Sequence, residues 1–78
     1  MEEKVKQIIS DLFSVEKNEI NPKFGPNDCD EWDSFGHLNL ITALEEEFDI
    51  LIDENQISDM QNFELIMLIL NETIENKL

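Results

Sequence analysis

Apolar residues return in helical rhythm in three stretches of the chain and lose that rhythm between them. Val5, Ile8, Ile9, Leu12 and Phe13 recur at the spacing of one helical face, and Glu2 and Glu3 stand near the positive end of that helix's dipole. This predicts a first helix. From Ser14 to Asp33 the periodicity fails, while Asn21-Pro22, Gly25-Pro26-Asn27 and the Asp28/Asp30 pair supply turn residues. A structureless stretch of this length is compatible with a compact fold only when its own apolar residues fasten it. Val15, Ile20, Phe24 and Trp32 are available to do so, which predicts a packed loop.

The second helix is predicted from about Ser34 to about Phe48, with Leu38, Ile41, Leu44 and Phe48 as its apolar stripe. Asn39, Thr42, Glu46 and Asp49 point elsewhere. Phe48, Ile50 and Ile52 also alternate as a strand would, but no second convincing strand exists to pair with them, so an extended connector is expected. A short helix around Glu54 to Met60 would carry Ile57 into the core. Asn62 is placed to cap a last helix bearing Phe63, Ile66, Met67, Leu70 and Ile74. Each long helix is apolar on one side and must bury that side against the others. The expected fold is therefore all-α, a small four-helix bundle with a long first loop and a short third helix.

Length and charge narrow the possible roles. The 78 residues are read as one domain, 1–78, with a single modest core and little room for a large catalytic cavity. Five Lys and Arg stand against nineteen Asp and Glu, a net charge of -14 that repels phosphate backbones and anionic bilayers. Lys4, Lys6, Lys17, Lys23 and Lys77 are scattered, with no basic patch. Nucleic acid is thus a poor partner and a basic protein a better one. The single Cys29 excludes an internal disulfide and a multi-cysteine zinc site, and no apolar signal segment follows Met1. The apolar run Leu65 to Leu70 is far too short for an integral membrane segment. A cytoplasmic monomer is expected.

Candidate chemistry concentrates at the start of the second helix. Asp33 suits the N-cap, accepting backbone N–H groups that otherwise lack partners, and Ser34 then occupies the first turn with its hydroxyl presented. Capping alone would explain an Asp-Ser pair. His37 follows Ser34 by about one turn and invites comparison with the base of a hydrolytic serine, but no oxyanion feature or nucleophile-elbow glycines accompany it. Packing beneath the loop, with a backbone hydrogen bond, is the expected role. Asp28 and Asp30 begin a calcium-loop pattern that then fails, because Trp32, Asp33 and Asn39 occupy the next oxygen, turn-glycine and final glutamate positions. Cys29 is read either as a small apolar residue against Trp32 or as an exposed thiol. Glu45, Glu46, Glu47 and Asp49 describe a charged helix surface, not a catalytic acid and base.

The run Trp32-Asp33-Ser34-Phe35-Gly36-His37-Leu38-Asn39-Leu40-Ile41, continued by Ala43-Leu44-Glu45-Glu46-Glu47-Phe48-Asp49-Ile50, resembles the serine motif and recognition helix of acyl and peptidyl carrier proteins. The resemblance extends to the helical plan of the whole chain. It implies that Ser34 is the covalent attachment point for 4'-phosphopantetheine, with Asp33 the acid before it and Phe35 the large apolar residue after it. An anionic arm there would lie near the positive helix end. It also implies a non-catalytic subunit that receives its arm from coenzyme A through a phosphopantetheinyl transferase. Acyl- or aminoacyl-activating and transferring enzymes would then use the holo-carrier through basic docking surfaces. Glu45 and Glu46, with Leu38 and Asn39, are the partner-facing candidates. The chain lacks the leucine-glycine stretch found before the serine in many fatty-acid carriers, and Gly36 and Asn39 occupy positions often acidic there. The tryptophan-led motif is more similar to discrete carriers of specialised pathways, polyketide or nonribosomal peptide assembly among them. An unmodified acidic adaptor for a basic protein is the alternative reading.

Overall fold

The computed structural model describes residues 1–77, which form four α-helices: α1 (Glu2–Phe13), α2 (Ser34–Phe48), α3 (Glu54–Asp59) and α4 (Phe63–Lys77). α1 ends where Ser14 turns left-handed at φ 57°. Its buried face is Val5, Ile9 and Phe13; Ile8 is half-buried and Leu12 lies outside. α1 and α2 pack together and run antiparallel, since Phe13 at the end of α1 lies beside Gly36 at the start of α2. At the other end Lys4 Nζ stands 3.9 Å from a Glu47 carboxylate oxygen.

The long first loop is packed, as its apolar residues predicted. Ile20, Phe24, Cys29 and Trp32 are buried, and Val15 packs against them from a partly buried position. The loop contains two short turns of 3-10 helix, Lys17–Glu19 and Pro26–Asp28. Its carbonyls also serve α4: Phe24 O accepts from the Phe63 N–H and Pro22 O from the Glu64 N–H, each at 2.9 Å. Asn62 Oδ1 accepts from the Leu65 N–H at 2.8 Å, the cap expected of it. Donors that the helix geometry leaves without partners are thus met by the loop. The radius of gyration, 11.5 Å, matches the about 11.5 Å expected of a compact chain this long.

The buried face of α2 differs from the predicted stripe. Gly36, Leu40, Ile41 and Leu44 are buried, whereas Leu38 is 56% exposed. The face is rotated because Gly36 belongs to it. A Cβ there would collide with the Glu31 backbone oxygen and come within 3.1 Å of the Phe13 ring. The interior glycine, costly for helix propensity, permits a close approach of helix, loop and α1.

After α2, Asp49 adopts the left-handed conformation (φ 53°) and the chain continues as an extended connector. Ile50 and Ile52 turn inward while Leu51 is 87% exposed, which accounts for the strand-like alternation without any strand. Glu45 closes this connection through both backbone and side chain. Its carbonyl accepts from the Ile50 N–H at 3.1 Å, and its carboxylate from the Ile52 N–H at 2.9 Å. α3 opens with a capping box between Asp53 and Gln56. Its expected core residue, Ile57, is half-buried, and the fully buried one is Met60 just past its end. In α4, Phe63, Ile66, Ile69 and Leu70 are buried, with Met67 and Ile74 partly so. Among the described residues, no helix is long and apolar enough to cross a membrane.

The tight Gly36 contact has a measurable consequence. Gly36→Ala should lower stability by about 1–3 kcal/mol through overpacking, outweighing the about 1 kcal/mol that alanine contributes by helix propensity. Urea unfolding followed by circular dichroism tests this, and a variant as stable as the parent would show that the approach is not tight.

Candidate functional site

The N-terminus of α2 is built by Asp33. Its backbone is extended (φ −90°, ψ −169°), its side chain accepts from the Gly36 N–H at 2.7 Å, and its carbonyl accepts from the His37 N–H at 2.8 Å. Ser34 is thereby fixed as the first helical residue and is exposed. By helix geometry the amides of this first turn have no helical acceptors. Phe35, immediately after, is 74% exposed.

Opposite the buried face, α2 presents Phe35, Leu38, Asn39, Thr42 and Glu46 on one outer strip, all exposed. The partner-facing candidates divide accordingly. Leu38, Asn39 and Glu46 share that strip with Phe35. Glu45 is half-buried, and its carboxylate is engaged with Ile52. Glu47 faces Lys4 on α1.

Beside Ser34 lies an open groove of about 550 Å³, between the start of α2, the end of α3 and the loop. Pro26, Trp32, Asp33 and Ser34 line one part, His37 and Leu38 another, and Ser58, Met60 and Gln61 the α3 side. Sequence reasoning did not find Pro26, Ser58, Met60 or Gln61. No periodicity connects them to the serine; only the fold brings them there.

His37 spans two elements from the floor of this groove. The indole N–H of Trp32 donates to His37 Nδ1 at 2.9 Å, so Nδ1 is an acceptor and the ring proton resides on Nε2. Nε2 stands 2.8 Å from Ile57 O and donates to it. Both nitrogens are occupied, which leaves none to act as a base toward Ser34. The expected backbone bond is present, made to α3.

Cys29 is buried, in keeping with the first of its two readings. Its Sγ lies 3.4 Å from Glu31 Oε1 and 4.0 Å from Phe13 O. Burial, reinforced by the hydrogen bond to Glu31, pushes the thiol pKa up. Asp28 closes a turn by accepting from the Gly25 N–H at 2.9 Å. Among the described residues no group of three His, Cys, Asp or Glu side chains is arranged to hold a metal ion.

No known protein-family profile matches the chain. It is 23% identical over 74 residues to polyketide-8 synthase acyl carrier protein 1 of Streptomyces avermitilis, covering 95% of this chain and 88% of that protein. The match is weak but nearly end to end. Together with the four-helix plan, it supports a relationship to the acyl-carrier superfamily at the level of general class.

Cys29 offers a direct check on the packing behind the site. With its thiol held protonated above the ordinary cysteine range, iodoacetamide at pH 8 should alkylate the native protein at least about tenfold more slowly than the urea-unfolded chain. Equal rates, followed by intact mass, would mean that the thiol is open to solvent.

Proposed function

We propose that this chain carries acyl or aminoacyl intermediates as thioesters on a 4'-phosphopantetheine arm attached to Ser34. The observation that carries the reading is the presentation of Ser34. Its side chain is exposed at the first residue of α2, between a capping Asp33 and an outward Phe35, and it opens onto a groove. These residues fit the group. A phosphodiester on Ser34 would meet first-turn amides and the positive end of the α2 dipole, and the groove offers room for the arm beyond it. When bound, the arm supplies a thiol for thioester formation and a flexible reach. The protein supplies orientation and recognition.

The chain is read as a monomeric, cytoplasmic, non-catalytic carrier domain. A phosphopantetheinyl transferase would load it from coenzyme A. Loading and cargo-handling enzymes would approach along the outer strip of α2, their basic side chains toward Glu46 and their apolar ones toward Phe35 and Leu38. Glu45 contributes charge to that side while holding Ile52, so its reversal would disturb the connector as well as docking. Polyketide assembly, named for the relative from Streptomyces avermitilis, is among the pathways to test for cargo.

Incubation with coenzyme A and a broad-specificity carrier synthase should add one prosthetic group by intact mass, and Ser34→Ala should abolish addition while keeping helicity. Absence of addition to folded wild type would remove the carrier reading and favour an unmodified acidic adaptor. Glu46→Lys should slow transferase association by about two- to threefold at low salt and reduce the salt sensitivity. An unchanged rate and salt response would place docking elsewhere.

A further inference from the structure

We propose that His37 is a positioning residue: by linking the Trp32 indole to the Ile57 carbonyl it holds α3 in place as the wall of the groove beside Ser34. α3 has six residues, too few for a helix to persist by its own hydrogen bonds. Tertiary anchors must therefore hold it. Met60 is fully buried and Ile57 half-buried, and the Nε2–H of His37 reaches Ile57 O at 2.8 Å. That carbonyl also accepts from the Met60 N–H at 3.3 Å, so the imidazole fastens the turn that seats Met60 behind the groove wall, between the exposed Ser58 and Gln61.

The imidazole cannot rotate freely to make this bond. Trp32 fixes its orientation, since the buried indole N–H donates to Nδ1 at 2.9 Å and the two rings lie edge to edge, 17° from parallel with centroids 6.2 Å apart. Trp32 is itself stacked on Phe13 of α1. The chain of contacts thus runs from α1 through the loop and α2 to α3. Ser34 lies one turn before His37, so a group attached to its hydroxyl meets a wall set in advance. The second half of this inference rests on the carrier reading; the clasp itself does not.

The single Trp and single His of the chain make the clasp readable by ¹⁵N NMR without assignment ambiguity. In the unloaded full-length protein, the imidazole should show Nε2 protonated and Nδ1 accepting, and the Trp32 indole proton should exchange slowly. His37→Phe should speed amide exchange at Ile57 and Met60 about tenfold, the loss of one hydrogen bond. His37→Gln, whose amide can still donate to Ile57 O, should retain most of the protection. After loading with coenzyme A and synthase, wild type should show resonance shifts at Ser58 and Met60 that H37F lacks, although both proteins load at Ser34. An Nδ1-protonated tautomer, or unchanged protection in H37F, would overturn the clasp. Equal loading-dependent shifts in H37F would overturn its role in forming the wall. If Ser34 does not load, the carrier reading falls, and the clasp is still judged on the unloaded protein. Should H37F fail to fold, the wild-type tautomer and H37Q protection decide.

Discussion

Trp32 is the side chain on which the arrangement depends. It is 2% exposed, stacked on Phe13 at 5.4 Å and tilted against Phe24 at 6.1 Å between ring centroids. Burying so large an aromatic surface gives the long loop a reason to fold inward, offsetting the conformational entropy of ordering it. The indole also brings a polar N–H into the interior, and leaving that donor without a partner would be expensive. His37 meets the requirement, and its second nitrogen then extends the connection to α3. One tryptophan at the end of the loop thereby couples all the elements that surround Ser34.

α2 has to satisfy two partners at once. Its inner face approaches α1 and the loop closely because Gly36 has no side chain, and this rotates Phe35 and Leu38 outward. Exposing two large apolar residues costs hydrophobic stabilisation in the free protein. Both stand next to the exposed Ser34 on the outer strip of α2, the surface along which partner enzymes are proposed to approach. The ion pairs Lys4–Glu47, Lys6–Glu2 and Lys17–Glu3, at 3.6 to 3.9 Å, lie largely at the surface and add little stability. Against a net charge of -14, cohesion comes from the apolar core and from the caps that satisfy the helix ends.

The presentation of Ser34 asks little of its surroundings chemically. An exposed first-turn hydroxyl beside an open groove depends on helix capping and packing more than on a particular set of side chains. This is compatible with a relative that is only 23% identical yet aligned along nearly the whole chain.

The sequence by itself determined the helix order, the packed loop, the cap at Asp33 and the position of Ser34 at the start of α2. These follow from local rules: apolar spacing, turn residues and capping acids act over a few neighbouring residues. Tertiary structure decided which stripe of α2 is buried, because the close approach at Gly36 involves Glu31 and Phe13, which the helical period of α2 does not include. It also decided that Glu45 holds Ile52 and that His37 reaches Ile57, since both bonds join separate segments. The groove belongs to the same class. Met60 reads in sequence as the end of a short helix, and it lines a groove beside Ser34 only after α3 has been folded back against α2.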